Sequence, residues 1–247
     1  MKTVLITGAS RGIGAATAVL AAQKGYNVAV NYVKNKEAAE KTVNKILKLG
    51  GKAVAFQADV SKEKEVIDLF KNILSHFGKI DALVNNVGIL ENQSRLDNLE
   101  MDRLERVINT NIVSCFICSK EAIKQMSTAY GGKGGAIVNV SSIASKTGAP
   151  NEYIDYAATK GAIDALTIGL SKEVANEGIR VNAVRPGFIY SDIHAAGGEP
   201  NRVDRLKDSI PMKRGGSPIE VANAILWLLS DEASYVTGSY IDIAGGK

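Results

Sequence analysis

The stretch VLITGASRGIG, Val4 to Gly14, decides the fold. It opens as a short apolar run of strand type and passes into a turn whose glycines fall as G-x-x-x-G-x-G at Gly8, Gly12 and Gly14. Glycine has no Cβ, so the backbone can turn tightly there and approach a pyrophosphate closely. The helix that follows, from about Ile13, would present free N–H groups and a favourable dipole to such an anion. The spacing differs from the G-x-G-x-x-G dinucleotide fingerprint, and the Gly-Lys-Ser/Thr ending of a nucleoside triphosphate loop is missing. A tight turn without a ligand would use the same glycines; the weight of the motif comes from its place directly after the first strand.

Outward from this turn, apolar runs alternate with helical patterns. Strands are predicted at Val4–Ile6, Val28–Val30, Ala53–Phe56, Ala82–Val84, Ala136–Val140, Ile179–Val184 and Tyr240–Ile243. Helices are predicted from Ile13 to Lys24, Glu37 to Leu49, Ser61 (as N-cap) to Phe77, Met101 to Met126, Tyr153 to Asn176, and from Ser217-Pro218 to Leu229, where Ser caps and Pro occupies the first helical position. The strands are apolar throughout rather than alternating. That pattern belongs to a parallel sheet covered by helices on both faces. The expectation is therefore an α/β chain with a doubly wound seven-stranded parallel sheet, one domain over residues 1–247, with its ligand at the carboxyl ends of the strands.

Composition narrows the function. Apolar residues make up 45% and charged residues 23%, and the formal net charge is +4. This charge is too mild for a nucleic-acid partner. The lysines at 34, 36, 41, 45 and 48 read as one solvated helix face. No apolar run approaches the ~20 residues of a membrane span, and the run after Met1-Lys2 is too short for a signal peptide. A cytoplasmic protein is expected. Cys115 and Cys118 lie in an apolar helical stretch and read as core. No Cys/His/Asp cluster has metal-ligand spacing, so no metal is expected.

With these landmarks in order, the chain resembles the short-chain dehydrogenase/reductase family. The resemblance is carried by Thr7-Gly8…Gly12…Gly14, Asp59-Val60 after the third strand, Asn85-Asn86-Val87-Gly88 after the fourth, Asn109-Thr110-Asn111, Ser141-Ser142 ending the fifth, Tyr156-Ala157-Ala158-Thr159-Lys160, Pro186-Gly187 after the sixth, and Tyr235-Val236-Thr237-Gly238 with Gly245-Gly246 near the end. The family implies a Rossmann fold, a nicotinamide cofactor, and hydride transfer between that cofactor and a carbonyl or secondary alcohol carbon. It implies catalysis by Asn111, Ser142, Tyr156 and Lys160. Cofactor contacts fall by the same resemblance on Gly8, Ser10, Arg11, Gly12, Ile13, Gly14, Asn31, Asp59, Val60, Asn86, Gly88, Tyr156, Lys160, Pro186, Gly187, Ile189 and Ser191.

The residue types fit that chemistry. Tyr156 and Lys160 are four apart and so share a helix face. A phenol, with a pKa near ~10, is a poor proton carrier at neutral pH; an ammonium beside it should lower that value and let Tyr156 give or take a proton. Ser142 could hydrogen-bond the same substrate oxygen. By resemblance, Asn111 would hold a water leading from Lys160 to solvent, and Lys160 would grip the nicotinamide ribose.

The cofactor is expected to be NADP(H), with NAD(H) the alternative. The segment Asn31-Tyr32-Val33-Lys34 carries no carboxylate to bind ribose hydroxyls, and Arg11 stands where a cation can pair with a 2′-phosphate. The segment Ile189–Ser209 should cover a small-molecule substrate, with His194 as a candidate contact. A small carbonyl or sugar-like alcohol is favoured. A 3-oxoacyl-[acyl-carrier-protein] reductase is the alternative, and Glu177, where those reductases often carry Arg, speaks against it. A catalytically silent NADP-binding protein is the remote alternative. By resemblance the protein should be a homotetramer.

Overall fold

The structure, a computed structural model, describes all 247 residues. Seven strands form one sheet: β1 Thr3–Ile6, β2 Asn27–Tyr32, β3 Lys52–Gln57, β4 Ala82–Asn85, β5 Gly135–Val140, β6 Ile179–Pro186 and β7 Tyr240–Ile243. Their spatial order is β3-β2-β1-β4-β5-β6-β7. Every pairing is parallel, so each strand is the end of one crossover and the start of another. The chain moves outward from β1 in one direction and then from β4 in the other. The order reverses between these two strands, and the crevice beyond their carboxyl ends is the place where such sheets bind ligands.

Ten α-helices connect the strands: α1 Gly12–Gln23, α2 Lys36–Lys48, α3 Glu63–Phe77, α4 Met101–Ile108, α5 Ser114–Met126, α6 Ala144–Thr147, α7 Ile154–Glu173, α8 Ile193–Ala196, α9 Arg202–Leu206 and α10 Pro218–Leu229. Side chains alternate across the sheet, and both faces are buried. Val4, Ile6, Val28, Val30, Val84 and Val138 pack under α1, α2 and α10. Leu5, Ala29, Leu83, Ile137 and Val181 pack under α3, α5 and α7. This two-sided burial explains the unbroken apolar runs in the sequence.

Two helix boundaries depart from the sequence reading. Ser61 does not cap α3. Its hydroxyl donates to the Asp59 carboxylate at 2.7 Å, Lys62 takes the N-cap place with no side-chain cap, and the helix starts at Glu63. The helix expected from Met101 to Met126 is not regular. It passes through a π-helical segment, Asn109–Val113, between α4 and α5, a local widening often found at functional sites. The last helix behaves as read: the Glu220 carboxylate accepts from the Ser217 N–H at 2.8 Å and from its hydroxyl at 3.0 Å.

Phe70 fills the centre of the second core and is 2% exposed. Phe70→Ala is expected to cost about 3–5 kcal/mol, read as a lower urea midpoint with an unchanged slope.

Candidate active site at the carboxyl ends of the strands

The glycine turn leaves β1 in a left-handed conformation, φ +61° at Gly8 and +56° at Gly12. Two asparagines hold it. Asn31, on β2, accepts from the Gly8 N–H through Oδ1 at 3.2 Å. Asn86, after β4, donates through Nδ2 to the carbonyls of Thr7 at 2.9 Å and Gly8 at 3.2 Å. The Thr7 hydroxyl accepts from the N–H groups of Asn86 and Val87. A Cβ on Gly14 would stand 2.6 Å from both Asn86 Nδ2 and the Gly8 carbonyl, so only glycine lets α1 start this close. The first turn of α1 has no acidic residue and no side-chain cap. Its N–H groups therefore keep their capacity for an anion, and the turn fits the pyrophosphate of a dinucleotide.

Several expected cofactor contacts sit around this turn. Arg11 is exposed at the N-cap. Ser10 and Ile13 flank it, each with its carbonyl taken by a threonine, Thr42 and Thr17 respectively. Ser191 comes across from the segment after β6: a Cβ on Gly12 would lie 3.6 Å from that of Ser191. Gly187 is pressed against Ala244, where a Cβ would come within 2.9 Å of its Cα. Pro186 gives its carbonyl to the Ile143 N–H, and Ile189 is buried with its carbonyl facing the His194 ring.

Two expected contacts have buried side chains. The Asn31 side chain is fully buried and bonded to Gly8, Phe56 and Ala58, so it shapes the turn. The Val60 side chain is 1% exposed and packs in the core with Leu69 and Phe70, which leaves its backbone to face the crevice. Asp59 beside it stays partly open. Burial alone would raise its carboxyl, but hydrogen bonds from Ser61 hold it below the usual range.

The four residues nominated for chemistry converge beside the turn. Ser142 ends β5; its Oγ donates to the Pro186 carbonyl at 3.4 Å and accepts from the Ala144 N–H at 3.1 Å. Tyr156 stands in the first turn of α7. Lys160, one turn on, is buried, donates to the Val140 carbonyl at 2.7 Å and lies 5.4 Å from the Tyr156 ring centroid. Gly88 makes room for it, since a Cβ there would come 3.3 Å from Lys160 Nζ. Asn111 lies in the π-helical segment. Its amide accepts from the Ile89 N–H at 2.8 Å and donates to the Ile89 carbonyl and to Thr159. Between Lys160, Asn111, Ser114 and Cys115 is a cavity of ≈ 10 Å³, the space a single water needs. The larger cavity, ≈ 460 Å³ and lined by Lys2, Lys24, Tyr26 and Trp227, opens at the opposite end of the sheet, far from these groups.

Burial dominates the protonation states, and the expected lowering of the phenol below its usual value is not seen. Burial pushes Tyr156 up to about 12, with the Ser142 hydroxyl opposing in part. Burial also brings Lys160 down to about 8, although Cys115 and Asp164 pull the other way. Both charged forms lose hydration, which is the largest influence on each. Cys115 is likewise pushed up to about 12 by burial, and Cys118 is raised as well, so neither thiol is reactive at neutral pH.

Sequence reasoning missed the ion pairs that frame the site. Arg103 on α4 makes a bidentate pair with Asp155, the neighbour of Tyr156, at 2.8 and 3.0 Å. Arg202 on α9 pairs with Glu152 and Glu199. The loop between them holds Ala149 at φ +42° and Asn151 at φ +63°, conformations that cost on the order of 1 kcal/mol or more for a residue with a Cβ. His194 is buried rather than in open contact with the cleft, with its ring Nε2 3.0 Å from the Ile189 carbonyl.

Comparison with known proteins agrees with this geometry. Residues 8–247 match the family described as enoyl-(acyl carrier protein) reductase. The chain is 60% identical to the uncharacterized oxidoreductase YgfF of Escherichia coli K12, over the full length of both. It is 42% identical to the 3-oxoacyl-[acyl-carrier-protein] reductase FabG of Staphylococcus epidermidis, covering 99% of this chain and 98% of that one. Among solved structures, a short chain dehydrogenase from Burkholderia cenocepacia in complex with NADP superposes with a TM-score of 0.90 at 32% identity, covering 99% of this chain and 97% of that one. The glycine turn, the Tyr and Lys one turn apart, and relatives alike over their whole length lead to one assignment: the chain belongs to the short-chain dehydrogenase/reductase family and is a nicotinamide-dependent oxidoreductase.

Proposed function

We propose that the protein uses NADPH to reduce a small carbonyl, or NADP⁺ to oxidise the corresponding sugar-like alcohol, with Tyr156 as the acid or base. The observation that carries this reading is the convergence of Ser142, Tyr156 and Lys160 beside the glycine turn. When bound, the nicotinamide supplies or accepts the hydride. The chain's own groups manage the oxygen and its proton. Ser142 donates a hydrogen bond to the carbonyl oxygen. Tyr156, protonated at neutral pH because burial holds its phenol near 12, gives that oxygen a proton as charge develops on it. Lys160, mostly charged below its value of about 8, stabilises the phenolate left behind. Asn111, clamped to Ile89, fixes the wall of the cavity through which a water could return the proton.

NADPH is favoured over NADH by charge. The guanidinium of Arg11 makes no ion pair within the chain and stands at the anion-binding turn, while the end of β2 offers no carboxylate to repel a 2′-phosphate. The NADP complex of the Burkholderia relative supports the same choice. A second reading, reduction of a 3-oxoacyl group on an acyl carrier protein, is favoured by the name of the staphylococcal relatives. Against it, Glu177, which accepts from the Ser127 hydroxyl, stands where those reductases often carry Arg. A homotetramer is supported by half-exposed apolar side chains on α5 and α7, among them Phe116 at 50% and Ile168 at 42%.

Three outcomes test this reading. Tyr156→Phe should lower kcat by about 10²–10⁴-fold and leave NADPH binding, followed by nicotinamide fluorescence, unchanged; a variant that retains full turnover would refute the role of the phenol. For reduction by the wild type, kcat/KM should fall as pH rises through about 8, where Lys160 loses its charge; a profile flat to pH 9.5 would contradict it. Arg11→Ala should raise KM for NADPH by about tenfold with little change for NADH, and a wild type that prefers NADH would overturn the cofactor assignment.

A further inference from the structure

Three segments meet above Tyr156: Glu91–Arg95 after β4, the Gly148–Tyr153 loop before α7, and the lid that carries α8 and α9. Arg202 lies where they join. It is 6% exposed, although it carries a full charge. One arm of its guanidinium donates to the Glu152 carboxylate, and another reaches Glu199 at 2.9 Å. Its plane lies over the Tyr153 ring, 4.9 Å from the centroid, and near Phe188 at 5.5 Å. Burial alone would weaken its charge, yet the hydrogen bonds it donates to Glu152 and Glu199 more than compensate.

The partners of Arg202 extend the contact. Glu199 also accepts from Arg205 and, at 2.7 Å, from Gln93. Tyr153 donates its hydroxyl to the Gly197 carbonyl at 3.1 Å, and the Ser94 N–H donates to the Glu152 carbonyl at 2.9 Å. Lid, loop and β4 exit are thus stitched together one helical turn before Tyr156. A charge this deep is costly unless every donor is placed, and a flat fork reaching two carboxylates fixes both distance and angle.

We propose that Arg202 is a positioning residue for the reaction: by clasping Glu152 and Glu199 it docks the lid on the loop that precedes Tyr156 and so sets the width of the substrate mouth. This rests on the reading of Tyr156 as the proton donor. The site is closed on this side before substrate arrives, and bulk on the substrate is limited there. Arg202 touches no reacting atom; it acts through Tyr153 and the strained turn at Ala149 and Asn151.

The test compares the full-length wild type with Arg202→Met, Arg202→Lys and Glu199→Gln by hydrogen–deuterium exchange without cofactor, and by NADPH-dependent reduction of acetoacetate esters from methyl to octyl. In Arg202→Met, amides of residues 149–155 and 193–206 should exchange about tenfold faster while those of the sheet do not change. KM for the methyl ester should rise about tenfold at nearly constant kcat, with activity shifting toward the longer esters. Arg202→Lys should fall between, because an ammonium cannot span both carboxylates in one plane. If Arg202→Met does not fold, Glu199→Gln, which keeps the shape and removes one charge, decides by the same readouts. Unchanged exchange in both segments, or kcat falling equally for short and long esters with KM constant, overturns the proposal. A wild type without turnover would instead refute the proposed reaction and leave the exchange result to judge Arg202.

Discussion

The backbone that leaves β1 must lose its strand partners to make room for a ligand, and its polar groups must nevertheless be satisfied. That constraint organises the site. Two side-chain amides replace the missing strand: Asn31 takes the Gly8 N–H, and Asn86 serves the carbonyls of Thr7 and Gly8. Buried backbone groups left unpaired would oppose such a bend. With them paired, Gly8 and Gly12 hold left-handed conformations and α1 points its uncapped end at the crevice. The Gly8 carbonyl that Asn86 binds, together with Asn86 itself, leaves no room for a Cβ on Gly14.

Much of this was legible in the sequence. The five inner strands, buried on both faces, leave unbroken apolar runs, and these and the two partly exposed edge strands lie within a residue or two of the positions the sequence indicates. That Tyr156 and Lys160 share a helix face was legible from their spacing of four; their roles came from the resemblance, not from the spacing. The burial of the Asn31 and Val60 side chains was not legible, because in a strand or its exit a step of one residue exchanges the open face for the core, and local sequence does not say which. The pairs Arg103–Asp155 and Arg202–Glu152 were invisible for a different reason. Their partners are 52 and 50 residues apart, and no periodicity links them.

The protonation of the site was misjudged for a related cause. Proximity of an ammonium to a phenol can be read from spacing, but desolvation depends on everything that packs around them. The surroundings that bury Lys160 come from β5, the π-helical segment and the chain after β4. The outcome is a phenol that keeps its proton and a lysine whose charge is conditional on pH.

The widened turn at Asn109–Val113 has a consequence for how this chain can vary in length. A π-helical segment accommodates a residue more per turn than the regular helix on either side. Each residue of an α-helix advances the side chains by about 100°. The extra residue is taken up inside the widened turn, so the helix beyond it keeps its phase. Cys118, Ala122 and Met126 stay inward-facing on α5, while the bulge itself carries Asn111 to Ile89. Losing one residue there would leave the layer under α5 in place and dissolve only the contact between Asn111 and Ile89: the wall of the site can be lost without disturbing the packing behind it.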